Sequence, residues 1–160
     1  MSRALKYAWK DEKMRFIKSV IQDDLVHELA PENIEFGENG DDMTAVFRHE
    51  SGSELVLRFG ERFTLSFDRW RGDYLLTDDE YERLIWDIKD IVRGNAFAVS
   101  VMAGKNLFIS YLTRGELNSA EDFIEDDPLE CAGLRKTGAV IECVYYDNTR
   151  NKKFVLEKEQ

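Results

Sequence analysis

Two short runs in which apolar and polar side chains alternate, followed at once by a capped amphipathic helix, leave this chain few ways to fold. In Glu54-Leu-Val-Leu-Arg-Phe59 the side chains of Leu55, Leu57 and Phe59 fall on one side. In Phe63-Thr-Leu-Ser-Phe-Asp68 those of Phe63, Leu65 and Phe67 do the same. Period-two alternation marks strands with one buried face. Setting Leu57 opposite Leu65 puts Phe59 against Phe63 and Leu55 against Phe67. That register needs an odd-numbered loop, Gly60-Glu61-Arg62, because a two-residue turn would place Leu57 against Thr64 and mix the faces. The helix follows over 77–93. Thr77 and Glu80 have capping-box spacing, and Asp78, Asp79 and Glu80 suit the positive end of the helix dipole. Tyr81, Leu84, Ile85, Ile88, Ile91 and Val92 form one apolar stripe, and Gly94-Asn95 offers a left-handed stop. The simplest packing lays that stripe on the apolar face of the hairpin.

The flanking segments extend the same pattern. A first helix is predicted from about Asp11 to Ala30, its stripe being Met14, Ile17, Ile21, Leu25 and Leu29, and Pro31 ends it. A hairpin follows around Asn39-Gly40, read as a type I′ turn that pairs Phe36 with Met43 and Ile34 with Ala45. With the central pair, this makes a meander of four strands. After the second helix, 96–102 and 107–112 read as strands around a turn at 103–106. Ser119 is placed to cap a short helix that Pro128 would end, and 139–146 with 153–157 close the chain as a hairpin. The expected architecture is α+β, one domain over 1–160. An antiparallel sheet carries helices on one face, in the order α-β4-α-β2-(short α)-β2.

Charge narrows the partners. The net charge is −10, and residues 21–145 hold 12 basic against 27 acidic side chains. Such a body repels phosphate, so nucleic acid and anionic membrane are disfavoured. No apolar run reaches the ~20 residues that cross a bilayer, and Met1 to Lys10 lacks the apolar segment of a signal peptide, so a cytoplasmic location is expected. Cys131 and Cys143 have neither C-x-x-C nor metal spacing and read as free thiols.

Catalytic motifs are missing: there is no Walker loop, G-x-G-x-x-G, G-x-S-x-G or H-E-x-x-H. His27 and His49 lie in different elements with no ligand set around either, so neither catalytic residues nor a metal or cofactor are assigned. Two stretches stand out. In the acidic segment 116–130, Glu121, Asp122, Glu125, Asp126 and Asp127 are interleaved with Phe123 and Ile124. Carboxylates framing apolar anchors suit docking on a basic protein, and a solvated loop is the alternative. The other stretch, 68–74, reads as a loop in which Trp70, Arg71 and Tyr74 have the composition of a binding hot spot, or else cover the end of the core. Trp86 falls off the helix stripe.

The run Phe63-Thr-Leu-Ser-Phe-Asp-Arg-Trp70, then Tyr74, then Tyr81, Leu84, Ile85, Ile88 and Ile91 before a new strand resembles a loose class of small bacterial α+β proteins. Several members are immunity proteins of polymorphic-toxin systems. The resemblance covers about residues 54–112. This chain has Trp70-Arg71 where such proteins often carry an aromatic–histidine pair, and no functional residue carries across. The resulting expectation is a non-enzymatic protein-binding module, an immunity-type inhibitor that meets a basic protein through acidic surface. The alternative is a small-ligand-binding or enzymatic domain with a pocket between the sheet and the second helix. A homodimer through an open sheet edge is a third reading.

Overall fold

The computed structural model describes residues 18–30, 32–119 and 138–156. Helix α1 spans Lys18–Glu28 and is followed by a meander: β1 (Ile34–Asn39), β2 (Asp42–Arg48), β3 (Glu54–Phe59), β4 (Phe63–Phe67) and β5 (Trp70–Tyr74). Helix α2 (Asp78–Val92) leads to β6 (Ala96–Ala103), β7 (Asn106–Arg114), β8 (Val140–Val144) and β9 (Lys152–Val155). The architecture is α+β, with two antiparallel sheets ordered β1-β2-β3-β4-β5 and β7-β6-β8-β9. The last four strands therefore form a sheet of their own instead of continuing the first. The start of the first helix before Lys18, the short helix expected after Ser119, and Cys131 all lie outside the described residues.

The β3–β4 hairpin has the register its alternation requires: Leu55 pairs with Phe67, Leu57 with Leu65 and Phe59 with Phe63. The three-residue loop is closed by the Gly60 N–H donating to the Arg62 carbonyl at 3.1 Å. The first hairpin turns one residue later than expected. Asn39 pairs with Asp42, so Gly40 and Asp41 form the turn, and Phe36 meets Ala45 while Ile34 meets Phe47. Gly40 holds φ +64, the conformation glycine adopts without a Cβ penalty. The shift keeps parity, so apolar side chains still share a face.

Five strands, not four, precede α2. The stretch read as a loop at 68–74 is a two-residue turn, Asp68-Arg69, followed by β5, with Phe67 paired to Trp70 and Phe63 to Tyr74. Asp68 takes φ 53 at this turn, which a short polar side chain tolerates better than most. Within β5, Trp70, Gly72 and Tyr74 fall on the covered face and Arg71 and Asp73 on the other. A Cβ on Gly72 would come within 2.8 Å of the Trp70 ring and 3.2 Å of Tyr74. Glycine there makes room for two large rings on one short strand.

The inner face of this sheet, the α2 stripe, Ile21 and Leu25 of α1 and Leu29 just after it form one core. Phe63 stacks with Phe59 at 4.9 Å and meets Tyr81 at 5.4 Å between ring centroids, so helix and hairpin pack as their apolar faces demand. Thr77 caps α2, its hydroxyl accepting from the Glu80 N–H at 3.3 Å. Helix α2 ends in a Schellman arrangement, with Asn95 N–H donating to Asp90 O at 2.8 Å and Gly94 N–H to Ile91 O at 3.1 Å. Gly94 holds φ +80, and a Cβ there would strike Arg150 Nη1, which donates to the Gly94 carbonyl at 3.2 Å. Gly94→Ala is expected to cost about 1 kcal/mol or more. Urea unfolding checks this, and an unchanged midpoint would contradict it.

Strand β6 is buried on both faces. Ala96 and Ala98 face the main core, while Phe97, Val99 and Val101 join a second cluster with Ile141, Cys143 and Tyr145. Two-sided burial explains its nearly continuous apolar run. A bulge between Val101 and Met102 shifts the β6–β7 register. Leu107, Phe108 and Ile109 are exposed near the turn.

Candidate functional site

Among the described residues, no element packs on the outer face of the five-stranded sheet. The register stacks its side chains in rows: Gly37, Thr44, Arg58, Thr64 and Asp73 in one, and Glu35, Val46, Val56, Ser66 and Arg71 in the next. Short side chains in the middle and longer ones around them leave an open groove of about 580 Å³, bordered by Arg58, Arg62 and Arg71. These outward positions are the polar half of the same alternation that marked the strands. Only the apolar half carries a burial signal in the sequence, so nothing there singles out Arg58, Thr64 and Ser66.

Most cations on this face are tethered. Arg58 Nε donates to Asp42 Oδ2 at 2.6 Å, and Gly60 leaves space for that carboxylate, which a Cβ would strike. Arg48 pairs with Glu35 and, at 2.8 Å, with Glu54, which hold its guanidinium above the ordinary arginine range through hydrogen bonds. Asp73 accepts from the Thr64 hydroxyl at 2.9 Å and lies 3.5 Å from Arg71 Nη2. The Thr64 hydrogen bond first, and then the charges of Arg71 and Arg62, keep its carboxyl below the usual range. Arg62 makes no ion pair among the described residues.

One end of the sheet is acidic. The turns at 40–41 and 60–62 and the link from β5 to α2 all emerge there, since Asn39 pairs with Asp42 and Phe63 with both Phe59 and Tyr74. Glu38, Asp41, Glu61 and Asp79 are exposed along this end, and Leu75, 61% exposed, follows β5 at its far edge.

Of the loop candidates, Arg71 lines the groove, whereas Tyr74 is buried and Trp70 half-buried on the opposite face. The space between the sheet and α2, where a ligand pocket was expected, is filled by Phe63, Tyr81, Leu84 and Ile88. Tyr74 donates to Asp87 Oδ2 at 2.6 Å, and Arg114 Nη2 donates to Asp87 Oδ1 at 2.6 Å while its Nε reaches Asp90 at 2.7 Å. The Arg83 guanidinium lies 4.3 Å from the centroid of the Tyr74 ring. Burial, with Asp87 beside it, drives the Tyr74 hydroxyl far above its ordinary range. This network joins β5, α2 and β7. Trp86 is 59% exposed, with Lys89 Nζ 5.3 Å from its ring.

The remaining candidates hold local structure. His49 Nδ1 lies 2.8 Å from Ser51 Oγ and accepts the Ser51 N–H at 3.0 Å, and its ring meets Tyr146 edge-on at 5.3 Å. His27 is exposed in the last turn of α1. Cys143 is fully buried, which pushes its thiol up to about 11, the opposite of what a reactive thiolate needs. Among the described residues no cluster of His, Cys, Asp or Glu is arranged to hold a metal, and no helix is long and apolar enough to cross a membrane. Glu121, Asp122, Phe123, Ile124, Glu125, Asp126 and Asp127 lie outside the described residues. A scan of protein-family models, a search of curated proteins and a search of solved structures each find no match.

Proposed function

We propose that this chain is a protein-binding module acting by occupancy, as an immunity-type inhibitor does, and that it docks on a basic protein through the acidic end of its five-stranded sheet. The observation that carries this reading is that three connections emerge side by side at that end. They present Glu38, Asp41, Glu61 and Asp79 in a line along that end, with the exposed Leu75 at its β5 edge. None of these four carboxylates is ion-paired among the described residues, so each is available to a partner's cations. Carboxylates beside an apolar contact speed encounter with a basic surface and select against acidic ones. The acidic segment 116–130 would add to the same field, and the net charge of −10 has the matching sign.

The test is affinity capture from the native source at low and high salt, with the triple variant E38K/D41K/E61K beside the native chain. A basic protein should be enriched at low salt, released at high salt and lost with the variant. Failure to enrich any basic protein at low salt removes the reading. A second reading, a small-ligand-binding or enzymatic domain, draws on the groove across the outer face, whose volume is that of many ligand pockets.

A further inference from the structure

We propose that the groove on the outer face of the five-stranded sheet binds a small polycarboxylate, gripped by Arg58, Arg62 and Arg71. The first reason is a local reversal of charge. Across the chain, acidic residues outnumber basic ones 32 to 22, yet the groove is lined by three arginines against two carboxylates, Asp42 and Glu61.

The second reason is how little of the guanidinium capacity is used. An arginine offers five N–H donors. Among the described residues, Arg58 spends its Nε on Asp42, Arg71 has only the 3.5 Å contact with Asp73, and Arg62 has no ion pair. The side chain of Arg71 is 65% exposed and that of Arg58 52%, so both guanidinium groups meet solvent at the groove.

The third reason is placement. Arg58 on β3 and Arg71 on β5 flank β4, whose Thr64 and Ser66 point to the same side. Two strand spacings set the arginine backbones about 10 Å apart sideways, within reach of two long side chains closing over a ligand between them. Arg62 stands at the loop end. The floor between them is low and offers hydroxyls, so a ligand can lie close to the strands.

Shape and surroundings then select the class. A volume of about 580 Å³ exceeds what one inorganic oxyanion fills, while planar carboxylates match the fork of each guanidinium. A long polyanion is disfavoured, because Glu35 and Glu54 lie farther along the same face and Glu61 at its end. The groove shares the 60–62 turn with the docking end, but it is tested on the isolated chain, with no partner present.

Citrate is the probe, titrated into isotope-labelled protein at constant ionic strength, with inorganic phosphate in a parallel arm. Saturable amide shifts confined to residues 42–44, 56–66 and 71–73 are expected, with a low-millimolar or tighter Kd. Arg62→Gln with Arg71→Gln should weaken citrate about tenfold or more at unchanged melting temperature, while Lys105→Gln, at the β6–β7 turn, should not. No saturable response to citrate overturns the proposal, as does equal affinity in the double variant. Tighter binding of phosphate than of citrate overturns the polycarboxylate assignment. None of these results depends on whether a basic protein is captured.

Discussion

Ile88→Asp is expected to leave the protein without a cooperative unfolding transition. Ile88 is fully buried in the stripe of α2 that faces the hairpin, in one core with Leu57, Phe63 and Leu65. Removing it forfeits about 1.5–3 kcal/mol of apolar burial. The aspartate adds a carboxylate in an apolar layer, and an unpaired buried charge costs several kcal/mol more. The sum is comparable with the ~5–15 kcal/mol that holds a typical domain together. Trp86→Asp, an exposed position on the same helix, serves as the control and should unfold cooperatively with a small change in midpoint. Circular dichroism with urea titration decides. A soluble Ile88→Asp protein melting at the native temperature would show that helix and hairpin do not support each other.

Cutting the network at Asp87 should produce the next largest loss. Asp87 is 7% exposed and takes hydrogen bonds from Tyr74 and Arg114, which belong to edge strands of different sheets. Arg114→Met removes the cation and leaves the carboxylate buried, while Arg114 itself is about half-exposed. Hydrogen bonds to charged groups contribute about 1.5–3 kcal/mol, so a loss of about 2–3 kcal/mol is expected. In a chain of this size that lowers Tm by roughly 4–12 °C. Tyr74→Phe should cost about 1–3 kcal/mol by leaving the other carboxylate oxygen without its donor. Because both changes act on one carboxylate, their effects should not add. Strict additivity in a double-mutant cycle would mean that Asp87 does not couple the two strands.

What is legible in the sequence is local in origin. The register of β3 with β4 follows from which of Leu55 to Phe67 can face water, and one-residue slips are heavily penalised. The limits of α2 follow from Thr77 and Gly94, whose cap and left-handed stop act within a few residues. The sequence locates the first hairpin but leaves its turn ambiguous by one residue, since Asn39-Gly40 and Gly40-Asp41 both keep apolar side chains paired. Strand β5 was missed for a different reason. Gly72 and two arginines make its composition loop-like, and the inward period of Trp70, Gly72 and Tyr74 has meaning only once Gly72 is seen to admit the two rings.

The sequence by itself determined the α+β class, the central hairpin, the capped helix and the apolar surfaces that join them, because each rests on periodicity or on capping over a few residues. Only the tertiary structure decided that the strands divide into two sheets and that no other described element packs on the face opposite the core. It also decided that Arg58, Arg62 and Arg71 border one groove in an acidic protein. Those arginines come from β3, the loop after it and β5 and meet through strand pairing, and the division depends on which edges find partners. Neither property is written in any one window of the chain.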